Sequence, residues 1–122
     1  MLVNEALEKS GRDSKKTFDY LYESMAAVKR FGRTARFDFL TMVGKLTLAN
    51  IEPRTTYMEG ATGPFAGGCL LFSGSNTRRF ERPVLEELLV ELGTELSVGM
   101  QVLEDALCNW QKEPGRFRRF RG

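Results

Sequence analysis

The residues best suited to chemistry lie near the end of the chain. Gln101, Asp105 and Asn109 fall at successive i, i+4 spacings, so on a helix they share one face. Glu104 and Cys108 lie beside them. A stripe of Gln, Asp and Asn differs from the Lys/Glu surface of an ordinary solvated helix. It can line a polar cleft in which Asp105 or Glu104 acts as a general base or orients an amine. It can equally be a surface stripe, with Asn109 tying down a neighbouring loop.

A second candidate is Gly60-Ala61-Thr62-Gly63-Pro64-Phe65-Ala66-Gly67-Gly68. Pro64 suits the first position of a helix, where its missing N–H would have no partner anyway. Gly60 and Gly63 permit conformations or close approaches that a Cβ blocks. A glycine turn feeding a helix start presents backbone N–H groups at the positive end of the helix dipole, an arrangement that binds phosphate. The same small residues also let two helices pack closely, and both readings stand.

The cations form further groups. Arg33-Thr34-Ala35-Arg36-Phe37-Asp38-Phe39 sets arginines among aromatics. There Arg33 and Arg36 can grip phosphate through a planar fork, or enter a structural ion pair. The tail holds Arg116, Arg118, Arg119 and Arg121 interleaved with Phe117 and Phe120. Such a mixture suits nucleic acid through charge and stacking. In the plainer alternative the two phenylalanines dock the tail on the core while the arginines stay solvated. Arg78, Arg79 and Arg82 make another basic run, and Glu86, Glu87, Glu91 and Glu95 read as a solvated helix face.

These groups must be positioned by 122 residues, enough for one domain with a modest core. The 42% hydrophobic and 28% charged fractions are those of an ordinary globular protein, and the net charge of +2 names no partner. The absence of histidine excludes a Ser-His-Asp or Cys-His triad. It also leaves two separated cysteines as poor zinc ligands, so no metal or cofactor is expected. Cys69 and Cys108 lie in apolar runs and read as reduced core residues of a cytoplasmic protein. No apolar run approaches the roughly 20 residues of a membrane span.

Helical spacing supplies the scaffold. Asp13 or Ser14 caps a helix to about Phe31, with Phe18, Leu21, Tyr22, Met25 and Val28 inward and Gly32 at its end. Thr34 caps a second, with Phe37, Leu40, Met42, Val43 and Leu46 as its core face. Asn50 to Thr56 is a loop, and Tyr57 and Met58 form a last helical turn before the glycines. A helix starting at Pro64 is preferred to a strand over Phe65–Phe72. Pro83 opens another helix, burying Val84, Leu85, Leu88, Leu89 and Leu92 and interrupted near Gly93. Ser97 caps the last, which buries Val98, Val102, Leu103, Ala106, Leu107 and Trp110 and runs to about Lys112. The expected fold is all-α, a compact bundle of about five helices. Residues 1–12 are expected to be a flexible segment, 13–113 a single helical domain and 114–122 a basic, aromatic tail.

Met58 to Gly68 resembles the hairpin of helix-hairpin-helix DNA glycosylases, which grips DNA backbone. It differs by one extra residue between the two glycines. The following region carries Arg79, Glu81 and Arg82 but no Asp, which argues against base excision. A larger share of the chain resembles the alpha-glutamyl/putrescinyl thymine pyrophosphorylases of phages and bacteria, also described as amino acid:DNA transferases. The similar segments are Gly32 to Leu40, Gly60 to Pro64 and Val102 to Gln111.

That resemblance implies a helix-hairpin-helix-like element and a DNA substrate carrying activated 5-hydroxymethyluracil, from which an amine displaces pyrophosphate. It implies that Gly60, Thr62 and Gly63 cradle DNA phosphate, and that Arg33 and Arg36 bind DNA or the leaving group. Asp105, or Glu104, would orient and deprotonate the amine. Asn109 and Tyr57 would read or stack on an extruded base. Members of that family are longer, so a chain carrying part of the catalytic domain is also expected. Two rival readings remain: a non-catalytic DNA-binding module, and a small protein-interaction factor of phage or host defence, alone or as a homo-oligomer.

Overall fold

The computed structural model describes residues 2–116 and 119. Six α-helices occur among them: α1 (Leu2–Lys9), α2 (Ser14–Ser24), α3 (Arg33–Lys45), α4 (Gly63–Ser73), α5 (Arg82–Leu96) and α6 (Met100–Trp110). No strand occurs among the described residues, as the all-α reading expects. None of these helices is long and apolar enough to cross a membrane. The chain divides into two compact units, Met1–Arg54 and Thr55–Gly122.

In the first unit the polar start of the chain forms the helix α1. Lys9 and Glu5 pair at 2.9 Å, and both bond the Tyr20 hydroxyl at 3.1 Å, which fastens α1 to α2. Asp13 caps α2, its Oδ1 accepting the N–H groups of Lys15 and Lys16 at 3.0 and 2.9 Å. The helix ends at Ser24 with a 3₁₀ turn to Ala27, well short of Phe31. Val28 is extended and Arg30 is left-handed, which turns the chain back toward α3. Gly32 is the N-cap of α3 and not a stop for α2, and Thr34 does not cap.

Arg33, Phe37, Leu40 and Thr41 form the buried face of α3. Met42 and Leu46, expected in the core, fall outside that face and are exposed. Phe18 is fully buried between Tyr22 and Phe37, edge-on to the latter at 6.2 Å. Gly44 has a steric role: a Cβ there would strike the Ile51 carbonyl, so the glycine lets the following loop fold onto α3.

The second unit is built around α4. Pro64 lies in its first turn, and the helix, not the strand, forms. Its core unites Met58, Ala61, Phe65, Cys69, Leu85, Leu89 and Leu107. Close packing depends on missing side chains. A Cβ on Gly67 would strike the Leu107 carbonyl of α6, and one on Gly68 would lie 2.8 Å from Leu85 of α5. Gly93 does not interrupt α5; its bare Cα accommodates the Met100 side chain. Ser97, expected to cap the last helix, instead ends α5 in the left-handed region, φ 54°, and Gly99 is the N-cap of α6. The buried face of α6 is Met100, Leu103, Glu104 and Leu107, so Val102 and Trp110 point outward. Val84 of α5 is likewise exposed, since Leu85 and Leu89 take the inward positions.

Candidate phosphate-binding turn and polar helix face

No helix enters the glycine turn. After α3 ends at Lys45, residues 46–62 are irregular, and Tyr57 and Met58 form no helical turn. The Ala61 N–H bonds the Met58 carbonyl at 2.9 Å, and Gly60 between them has φ 80°. That closes a four-residue turn whose third position needs positive φ, which glycine supplies without strain. Tyr57 just before it is left-handed too, φ 51°, a conformation that costs a bulky L-residue about 1–2 kcal/mol. Thr55, Thr56, Tyr57 and Met58 are all buried, so the approach to the turn is packed within the fold.

The turn is gripped from α5. Arg82 Nε donates to the Met58 carbonyl at 2.8 Å and Arg82 Nη2 to the Ala61 carbonyl at 3.3 Å. Its guanidinium lies 4.1 Å from the centre of the Phe65 ring, in the first turn of α4. Glu86, one turn along α5, accepts the Met58 N–H at 2.7 Å. Sequence reasoning placed Arg82 in a basic run and Glu86 on a solvated face. The available signal was the i, i+4 Arg/Glu pair at the start of a Pro-opened helix.

At the mouth of α4, Thr62 is the N-cap residue, but its side chain makes no capping bond. Pro64 has no N–H to offer. The first-turn amides of α4 therefore carry no side-chain cap and sit at the positive end of the helix. Gly60 and Thr62 are exposed. Gly63 has a packing role as well: a Cβ there would lie 2.8 Å from Cys108 Sγ and 3.7 Å from Gln111 Nε2.

That packing brings the turn against the C-terminal half of α6, where the polar stripe lies. Gln101 Nε2 donates to Asp105 Oδ2 at 2.7 Å, which confirms that these two share a face. Gln101 Oε1 is buried with no hydrogen-bond partner. Asp105 and Asn109 are half-buried, whereas Glu104 is 5% exposed and faces inward. Glu104 and Asn109 each have an interaction within the fold. Asp105 stands three residues before Cys108, about 4.5 Å along the helix axis. Thus the second unit contains Gly60, Thr62, Gly63, Asp105, Glu104, Asn109 and Tyr57. Tyr57 is 9% exposed, so its ring offers little face to a stacked base in this conformation.

Arg33 and Arg36 belong to the first unit. Arg33 is buried against Phe37 at 4.9 Å. Arg36 lies 4.1 Å from the centre of the Tyr22 ring and donates to the Tyr22 carbonyl at 2.9 Å. Both guanidinium groups therefore already serve the fold. Of the tail cations, Arg116 and Arg119 are exposed, and Arg118 lies outside the described residues. Among the described residues no group of three or more Cys, Asp or Glu side chains is arranged to hold a metal ion.

The profile of the alpha-glutamyl/putrescinyl thymine pyrophosphorylase clade 3 family matches residues 1–122, and the chain belongs to that family. No curated protein and no solved structure matches it.

Proposed function

We propose, with that membership as premise, that the chain acts on DNA in the hypermodification of thymine. An amine nitrogen attacks the exocyclic methylene carbon of an activated 5-hydroxymethyluracil. The carbon–oxygen bond to pyrophosphate breaks, and pyrophosphate leaves with the electron pair. The amine then gives up a proton. The family profile spanning residues 1–122 carries this reading.

The geometry of the second unit supports particular roles. The uncapped start of α4, with Gly60, Thr62 and Gly63, takes a DNA phosphate. Asp105 accepts the proton from the amine, oriented by its bond from the Gln101 amide. Asn109, on the same face, contacts the extruded base. Exposed Arg116 and Arg119 add attraction for the DNA backbone. Glu104 faces inward, which favours Asp105 as the base.

The test is direct. The chain is incubated with DNA containing pyrophosphorylated 5-hydroxymethyluracil and with putrescine or glutamate. Amine-dependent release of pyrophosphate and a nucleoside of the corresponding added mass are expected. Absence of both, with DNA binding intact, would replace the enzyme by a DNA-binding module.

A further inference from the structure

Arg82 and Glu86 project from one side of α5 onto one short piece of backbone. Between them they engage the N–H and carbonyl of Met58 and the carbonyl of Ala61. We infer that Arg82 and Glu86 are positioning residues that aim the backbone amides of the Met58–Thr62 turn at a DNA phosphate. The inference rests on the phosphate contact proposed for this turn.

The argument is one of peptide geometry. In a trans peptide the C=O and the following N–H point in opposite directions. Arg82 draws the Ala61 carbonyl toward α5, so the N–H of Thr62, in the same peptide plane, points away from α5. The Met58 carbonyl is drawn the same way, which turns out the N–H of Glu59. Carbonyl oxygens would repel a phosphate, and the clamp ties two of them down on the side of Arg82. Stacking on Phe65 fixes the guanidinium relative to the first turn of α4, so turn and helix start are held as one piece. Glu86 fixes the other end by accepting the Met58 N–H.

Glu86 separates positioning from simple charge. A carboxylate near a phosphate site repels the ligand, so its removal by Glu86→Ala would tighten DNA binding if charge alone mattered. As a positioning residue its loss loosens the turn and weakens binding. Glu86→Gln removes the same charge but keeps an oxygen to accept the Met58 N–H.

The experiment uses the full chain. Amide hydrogen exchange at Met58 and Ala61, the two bonded amides of the turn, is followed by NMR, and the affinity for a short fluorescent duplex is measured over a salt series. Glu86→Ala and Arg82→Gln should speed exchange at the turn and weaken binding by about tenfold, the size of one lost charge-assisted hydrogen bond. Glu86→Gln should restore both to near wild type, and thermal melts identify any variant that fails to fold. Unchanged exchange in Glu86→Ala and Arg82→Gln would overturn the inference whatever the DNA result. Gly60→Ala tests the underlying reading separately. If it weakens binding while Glu86→Ala does not, the clamp is irrelevant and the phosphate contact survives. If neither variant weakens binding, the phosphate contact itself fails, and the inference with it.

Discussion

Two guanidinium groups, Arg36 of α3 and Arg82 of α5, each lie 4.1 Å from the centre of an aromatic ring and donate to main-chain carbonyls. The local chemistry is the same, and what is held differs. Arg36 bonds the carbonyl of Tyr22, in the last turn of α2, where helix carbonyls lack intrahelical donors and a cation suits the negative end of the dipole. Arg82 bonds a turn outside any helix, beside the uncapped start of α4. The first arginine completes a helix. The second shapes a surface that a ligand can reach. An arginine among aromatics in the sequence is therefore no phosphate ligand by default; the backbone it grips decides its role.

The carboxylates divide in the same way, and they give the largest expected effect. Asp19 is paired with the cation Arg54 at 2.6 Å in the first unit. Asp105 is paired with the neutral Gln101 amide, which orients the carboxylate without neutralising it. Asp105→Asn should lower pyrophosphate release by about 100-fold or more, the usual loss when a general base is removed. Asp19→Asn should leave the rate nearly unchanged. Equal losses would remove the distinction between the units.

Glycine substitutions come next. Gly67 and Gly44 each have a backbone carbonyl where a Cβ would go, from Leu107 and Ile51 respectively. Alanine at either should cost about 1–3 kcal/mol, because packed main chain, of α6 at Leu107 and of the loop after α3 at Ile51, yields poorly. Denaturant unfolding measures that cost. Trp110, the single tryptophan, ends α6 and serves as the fluorescent reporter for Gly67→Ala. DNA affinity at a temperature where both variants remain folded should fall only for Gly67→Ala, which shifts α4 and its turn. A smaller effect is expected at Arg36. Arg36→Ala should destabilise by about 1–2 kcal/mol, from the lost carbonyl bond and ring contact, without altering the salt dependence of DNA binding. A changed salt slope would instead make Arg36 a phosphate ligand.

What the sequence made legible follows from the range of the forces involved. The start of α4 was readable because Pro64 acts locally, and the cap of α2 because Asp13 bonds amides two and three residues away. The Gln101–Asp105 contact was readable because helical spacing dictates it. Arg82 finds its carbonyls 24 and 21 residues back in the chain, and Glu86 its amide 28 residues back, distances over which no periodicity speaks. The apolar spacing likewise ran on through Met25 and Val28, and nothing local marked the end of α2 at Ser24. The glycines show both limits. Their smallness announced close approach or an unusual turn, and the fold assigns the turn to Gly60 and the helix packing to Gly63, Gly67 and Gly68.

The smallest expected effect concerns the two helix starts. The Asp13 carboxylate caps α2, and the N–H bond from Lys16 above all, opposed by desolvation and supported by the Lys15 N–H, holds its pKa below the ordinary value of 3.8. A carboxyl whose folded pKa is depressed contributes stability that is complete above its unfolded value and is lost as pH falls through the folded value. The Asp13 contribution should therefore be constant at neutral pH and fade only below about pH 4. Asp13→Asn keeps an oxygen for the same amides and should show a flatter acid limb in thermal melts, whereas Asp13→Ala should melt slightly lower at neutral pH as well. The Thr62 side chain makes no such bond at α4, so Thr62→Ala should leave the melting temperature nearly where it is. A fall equal to that of Asp13→Ala would mean that Thr62 caps α4 in solution. The amides assigned to phosphate would then already be taken.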